Sequence, residues 1–274
     1  MTPERPSGSP GPSEPERGRE SGPAESGVAP APVATAGGHP PDPPRDSPAT
    51  SARHHIPLAQ AYDGITRVVA DLDDADLQRP TRCHGWLVAD LLLHVLGDAQ
   101  RALVALASPA DGPATVDDVS YWRGFPGEAD DSAARHAWWV RRSAAAFERP
   151  SGVVRLWCDT APAAVRAAGR ADPDGFVSTQ GHVLRVPDLL ATLTTEAVVH
   201  HLDLVLDLPD APRPGVLAVR VAVTTMDGLL SDDAVRPAGW SDEEFLLKAT
   251  GRLPLTDRDR LELGEVAGWF PLLG

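Results

Sequence analysis

Glu196-Ala197-Val198-Val199-His200-His201-Leu202-Asp203 is the stretch on which the reading of this chain turns. Pro187 can open a helix at its first turn, and the pattern predicts that helix over 188–206, with Leu189, Leu193, Glu196, His200 and Leu204 on one face. Glu196 and His200 then sit one turn apart on the same side. A carboxylate and an imidazole so placed can share a divalent ion, zinc being the usual occupant. The plainer alternative is a Glu–His hydrogen bond across one turn. Both groups lie within an apolar stripe, where an unpartnered polar side chain is expensive.

A third ligand must come from elsewhere. Trp86 to Ser108 carries a second helical pattern in which Leu87, Leu91 and His94 share a face, so His94 points inward. Alone, His94 reads as a satisfied core histidine. Taken together, His94, Glu196 and His200 each supply what the others lack. Three protein ligands leave one coordination position open, the arrangement of catalytic rather than structural sites.

The remaining pattern is mostly helical. Leu58, Tyr62, Ile65, Val69 and Leu72 recur every three or four residues and predict a helix over 56–72. A further helix is expected over 130–147, ended by Pro150-Ser151-Gly152, with a short one from Pro162 to Ala168. Residues 109–129 read as a long loop, pinned by Trp122 and Phe125. Two β-prone runs flank Gln180-Gly181 within 175–186 and predict a hairpin. Val216 to Leu230 is apolar, its valines leaving helix and strand both open. Residues 1–50 hold 13 of the 28 prolines and no Leu, Ile, Phe, Trp or Tyr. Such a segment cannot bury enough apolar surface to offset ordering, so a disordered tail is expected.

Composition removes several function classes. A net charge of -14 argues against a nucleic-acid partner, because phosphates call for a basic face. Neither a run of apolar residues long enough to cross a membrane nor a secretory leader is recognisable. Two cysteines, Cys83 and Cys158, are too few for a disulfide framework and fit a reduced, cytoplasmic setting. Lys248 is the only lysine among 25 basic residues, a hint of a GC-rich genome.

Other side chains carry weaker signals. His201 is one residue off the stripe and faces solvent or a neighbouring helix. Asp203 either orients an imidazole from outside the ligand set or is an ordinary solvated carboxylate. Asp98, one turn beyond His94, has the same two readings. Cys83 reads as a packed thiol, with a stabilised thiolate as the alternative. His84, His136 and His182 show no ligand spacing.

Two of these segments resemble a known family. Cys83-His84-Gly85-Trp86-Leu87-Val88-Ala89-Asp90-Leu91-Leu92-Leu93-His94 is similar to the Cys-x-Gly-Trp…His segment of the mycothiol-dependent maleylpyruvate isomerase family, and Glu196-x-x-x-His200-x-x-Asp203 to its second ligand motif. The C-terminal stretch, with Thr250-Gly251-Arg252 and the Phe-Pro-Leu-Leu run from Phe270, resembles the ending of actinobacterial members. The resemblance implies a mainly α protein. A DinB-like up-down four-helix bundle would occupy 54–210, after a tail over 1–53 and before a small helical or mixed extension over 211–274. It implies a divalent metal, zinc by expectation, on His94, Glu196 and His200, with mycothiol as the second cofactor. The implied activity is addition of a metal-activated thiolate to an electrophilic small molecule, as an isomerase or thiol S-transferase. The isomerase type carries a larger C-terminal α/β domain with an arginine for the substrate, and Arg252 is the counterpart offered here; Arg101 is a further candidate. The chain would act as a monomer or homodimer, with no nucleic-acid or membrane partner. The alternative is a bundle that binds or senses metal without catalysis.

Overall fold

Heptad-like apolar spacing becomes helix wherever it is long enough. The computed structural model describes residues 54–123, 132–208, 210–230 and 234–273. The disorder expected of 1–53 and the pinning role expected of Phe125 lie outside them. The fold is mainly helical: α1 Ile56–Val69, α2 Val88–Leu106, α3 Ser120–Arg123, α4 Ser132–Ala144, α5 Ser151–Ala168, α6 Val186–Leu204, α7 Val216–Leu230, α8 Asp242–Ala249 and α9 Asp257–Leu263. A small antiparallel sheet is ordered β1 (Pro109–Ala110), β2 (Phe176–Thr179), β3 (His182–Arg185). Its β2–β3 turn is the expected Gln180-Gly181.

The four long helices α1, α2, α5 and α6 each pack on two of the others: α2 on α5 and α6, and α1 on α5 and α6. Leu58, Ile65, Leu91, Leu92, Leu96, Trp157, Leu189 and Leu193 fill the space between them, all essentially inaccessible to solvent. Trp157 Nε1 donates to Thr66 Oγ1 at 2.9 Å, so the largest core side chain leaves no polar atom unpaired. Helix α7 lies on α1 and α6 and settles the ambiguity at 216–230 as helix, and α8 packs on α7. The 22-residue segment Val186–Asp207 is long and apolar enough to cross a membrane, but 78% of its apolar window is buried inside the protein.

Two expectations are corrected: the stretch read as a loop over 109–129 carries the strand Pro109–Ala110 and the short helix Ser120–Arg123, and α5 starts earlier than expected. Helix α5 does not wait for Pro162 but runs unbroken from Ser151 to Ala168 with Pro162 inside it. A proline there removes the hydrogen bond to the carbonyl four residues back. That carbonyl belongs to Cys158 on the exposed side of the helix, where water can replace the lost donor. Trp157, Ala161 and Ala164 hold the opposite face in the core. Packing outweighs the local penalty.

Candidate metal centre

His94 from α2 and Glu196 and His200 from α6 come together between these two helices. Their candidate ligand atoms lie within 4.8 Å of one another. His200 Nε2 is 3.1 Å from Glu196 Oε2 and 3.1 Å from His94 Nε2. The two rings meet edge to face at 90°, with centroids 4.7 Å apart. For a tetrahedral ion with Zn–N bonds of about 2.0–2.1 Å, adjacent nitrogens stand about 3.3 Å apart. The observed nitrogen separation is close to that edge.

Proton accounting explains why these groups suit a cation. Asp203, fully buried, has its Oδ2 3.1 Å from His200 Nδ1. Burial works to raise the Asp203 carboxyl, but the hydrogen bond and charge of His200, then Arg252, outweigh it and bring it down to about 2. Asp203 is therefore an acceptor, so His200 Nδ1 carries a hydrogen and Nε2 faces the site. Burial likewise opposes ionisation of Glu196, yet His200, His94 and Arg101 draw it down to about 2. An ionised carboxylate and two imidazole nitrogens thus converge on one point. A single proton cannot satisfy all three, whereas a divalent cation can. In the absence of an ion the positive charge settles on His200. Burial pulls that imidazole down, and the hydrogen bonds to Asp203, Cys83 and Glu196 more than reverse this, raising it well above its usual value. His94, disfavoured by burial and by the His200 charge, falls to about 3 and stays neutral.

Outer partners fix both rings, as metal-bound imidazoles require. Asp203 holds His200. With His94 Nε2 kept as a lone pair, its Nδ1–H donates to His136 Nε2, 3.1 Å away on α4. His136 stacks on Trp139 with centroids 5.9 Å apart and an interplanar angle of 26°. Trp86 packs on His94 with ring centroids 5.2 Å apart and on His136 at 6.3 Å. His136 escapes any spacing argument, because it comes from the exposed side of an amphipathic helix and meets His94 only through the tertiary fold. A His three residues before a Trp was its only signal, and a weak one.

The Cys83-His84-Gly85-Trp86 turn is folded by local bonds: Trp86 N–H donates to the Cys83 carbonyl at 3.0 Å, and Gly85 takes φ +79°. Arg82 N–H donates to the Asp203 carbonyl at 3.1 Å, fastening the turn to the end of α6. Cys83 is therefore more than packing. Its Sγ lies 3.2 Å from Asp203 Oδ2 and 3.9 Å from His200 Nδ1, so Cys83, His200 and Asp203 form a second group of ligand type. Arg252 already supplies this group with a cation, its Nε 3.3 Å from both Asp203 oxygens and its Nη2 3.2 Å from Oδ2. Each unit of charge added about 4 Å from the guanidinium would meet roughly 4 kcal/mol of repulsion at an effective dielectric near 20. On the Nε2 side Arg101 acts on Glu196 and His94 only at longer range and is itself paired with Asp98.

The other residues singled out by sequence fall into place. His201 points not to solvent but against α1, where Gly64 makes room: a Cβ there would come within 3.1 Å of the ring. Its Nε2 binds the Pro212 carbonyl at 2.8 Å. Asp98 and Arg101 pair on the turns of α2 beyond His94, at 3.1 Å. Arg101 Nη1 also donates to Gln180 Oε1 at 3.3 Å, and Tyr121 donates its hydroxyl hydrogen to the same oxygen. Asp98 is raised to about 6 by burial and by the Glu196 charge, against the pull of Arg101. The hydroxyl of Tyr62 and Oδ2 of Asp98 are buried without hydrogen-bond partners among the described residues. Such orphans typically cost about 1–3 kcal/mol each. Both lie within electrostatic reach of Glu196, so polar capacity is in reserve beside the donor set.

A mainly helical fold with a two-histidine, one-carboxylate donor set between its helices defines a candidate metal-binding protein. The Mycothiol maleylpyruvate isomerase N-terminal domain family matches residues 58–205, and the chain belongs to that family. The match takes in His94, Glu196 and His200, whereas Arg252 lies beyond it. No curated protein matches the chain, and no solved structure does.

Proposed function

We propose that this chain is a divalent-metal, mycothiol-dependent enzyme of the maleylpyruvate isomerase type, with His94, Glu196 and His200 as the metal ligands and zinc as the metal. The observation that carries the reading is the convergence of one ionised carboxylate and two Nε2 atoms on a single point, with N···N at 3.1 Å. The pairwise packing of α1, α2, α5 and α6 supports a DinB-like up-down four-helix bundle over 54–210. Residues 211–274 form the extension in this proposal.

When bound, the metal supplies positive charge that keeps a small thiol ionised near neutral pH. The chain's own residues do the rest. Asp203 and His136 hold the two imidazoles in the orientation that presents Nε2. Buried α2 and α6 side chains limit water access around the donor set. Arg101, braced by Asp98 and Gln180, is the cation assigned to an acidic group of the substrate. Arg252, which the sequence offered for that task, has its guanidinium engaged by Asp203 and the Thr250 carbonyl. Tyr62 and Asp98 offer a donor and an acceptor for further polar groups. The reaction class is addition of a sulfur nucleophile to an electrophilic small molecule, reversed after rotation in an isomerase or retained in an S-transferase. The charge of -14 supports a small-molecule partner over nucleic acid. The free Cys83 and Cys158 support a reducing, cytoplasmic setting.

Metal analysis of anaerobically purified protein tests the site: about one ion per chain is expected for one three-ligand centre, lost in His94→Ala and Glu196→Ala. Adding mycothiol to the cobalt-loaded protein should then shift its visible spectrum, and maleylpyruvate or a simple electrophile should be turned over. Metal binding with no response to mycothiol would replace the enzyme by a non-catalytic metal-binding module. No metal at all would reduce the centre to a hydrogen-bonded histidine pair.

A further inference from the structure

His200 faces a ligand-type group on each side of its ring. On the Nε2 side stand His94 and Glu196; on the Nδ1 side stand Cys83 and Asp203, equally a set that could hold an ion. A thiol, an imidazole nitrogen and a carboxylate are all ligand types that zinc accepts, and nothing in their spacing alone sends a metal to one side of the ring rather than the other. The difference is Arg252. We propose that Arg252 is the resident cation of the Cys83–His200–Asp203 group: it closes that group to metal and, through Asp203, fixes His200 so that a single ion binds on the Nε2 side.

The arginine is built in rather than lying on the surface. Its Nη1 donates to the Thr250 carbonyl at 2.8 Å, while Nε and Nη2 grip Asp203. Gly251 at φ +70° makes the turn that aims it, a conformation that other residues resist. Below the turn, Arg252 N–H donates to the Leu247 carbonyl at 2.7 Å. The chain end is tied to the same place, since Leu272 and Leu273 N–H both donate to the Ala249 carbonyl. A guanidinium fork matches a carboxylate in a plane, and an ammonium cannot. Arg252 is thus a positioning residue acting through Asp203, and a charge that a second cation must displace. This inference takes the Nε2-side ion from the function proposed above, but the state of the Cys83 side can be read whether or not that ion binds.

Cadmium titration of the full-length protein separates the two sides, because only coordination by Cys83, which then releases its thiol proton, gives a sulfur-to-metal charge-transfer band. Wild type is expected to bind cadmium without that band. Arg252→Ala should acquire the band and a second equivalent of cadmium, held by the Cys83 thiolate and Asp203 while His200 keeps its Nδ1 hydrogen, and Cys83→Ser in the Arg252→Ala background should abolish both. Arg252→Ala should also hold its Nε2-side ion about 10- to 100-fold more weakly, as for loss of an outer-shell partner. Arg252→Lys, keeping charge without the fork, should stay silent in the charge-transfer region. A band in wild type would overturn the proposal, because metal would then reach Cys83 with Arg252 in place. So would an Arg252→Ala protein that folds by circular dichroism yet shows no band. If His94→Ala leaves wild-type cadmium binding unchanged, the Nε2 centre fails on its own, and the Arg252→Ala band still decides the role of the arginine.

Discussion

Two buried acidic clusters in this chain look alike in composition and behave differently. Near the C-terminus, Lys248 is inserted between Glu244 and Asp259, each 2.6 Å from Nζ, and sits 4.4 Å from the centroid of the Trp240 ring. Asp259 also accepts from Trp240 Nε1 at 2.7 Å and caps α9 through Thr256. Its carboxylate has a cation supplied by the chain and is satisfied within the fold. In the centre between α2 and α6, the ionised Glu196 is met at 3.1 Å by His200 Nε2 and feels Arg101 only at longer range, that guanidinium being paired with Asp98. Its close counter-charge is therefore a proton on His200 or an ion from outside. A buried carboxylate that owns its counter-charge is structural. One that must import it is a site.

Removing the owned charge should have the largest effect on folding. Lys248→Met is expected to lower stability by about 3 kcal/mol or more, as when one partner of a buried pair is deleted and the other left stranded, measured by urea unfolding. Its response to metal should remain that of wild type. Glu196→Gln should do the reverse. Wild type should gain about 2.7 kcal/mol with zinc at 100 times its Kd, and the Glu196→Gln protein should gain almost nothing. Equal metal responses in wild type and Glu196→Gln would erase the distinction between the clusters.

Acidity separates them further, with the sign set by each group. His94 is lowered to about 3 in the fold by burial and by His200. Its contribution is therefore present above its ordinary value of 6.5 and lost as pH falls toward 3. His200 is raised well above 6.5, so its contribution is present below that value and lost as pH rises through the folded-state value. The joint contribution of these two histidines to the metal-free protein should accordingly be largest near pH 6.5, and His94→Ala should remove its part of the acid arm from a melting-temperature profile. Asp259, lowered chiefly by Lys248 against the effect of burial, contributes above the carboxylate range and is lost only in strong acid. It should not bend the profile near neutrality. Saturating zinc should displace the His200 proton, so metal affinity should fall on acidification.

What could be read from the sequence was what a helix places on one face. Glu196 and His200 are neighbours by the geometry of the α-helix alone, and the Leu-rich stripe around them set the direction they face. His94 followed from the same periodicity in α2. Asp203, three residues after His200, was legible as an orienting group but no better than as a surface carboxylate, because burial of a single side chain depends on what packs over it. Cys83 as a neighbour of His200, Arg252 as the partner of Asp203 and His136 as the partner of His94 required contacts across 42 to 117 residues. No period encodes those. Pro162 misled for a related reason, since the local rule that ends a helix takes no account of Trp157 and its packing.

His136 offers the finest test of the comparison, because it belongs to the imported-charge cluster but lies exposed on α4. It touches no candidate ligand atom on Nε2 and contributes no buried area comparable to Trp157. His136→Ala should therefore leave the unfolding midpoint of the metal-free protein within about 0.5 kcal/mol of wild type, as for an ordinary surface substitution. If its ring receives the Nδ1–H of His94, removing it frees that imidazole to rotate and lowers its basicity. Metal affinity should then drop about 10-fold, the smaller end of outer-partner effects, when measured by competition with a chelator. His136→Gln, whose side-chain carbonyl can accept the same hydrogen, should recover part of the loss. An unchanged affinity in His136→Ala would leave Asp203 as the only orienting partner and make the 3.1 Å contact between the two histidines incidental to the centre.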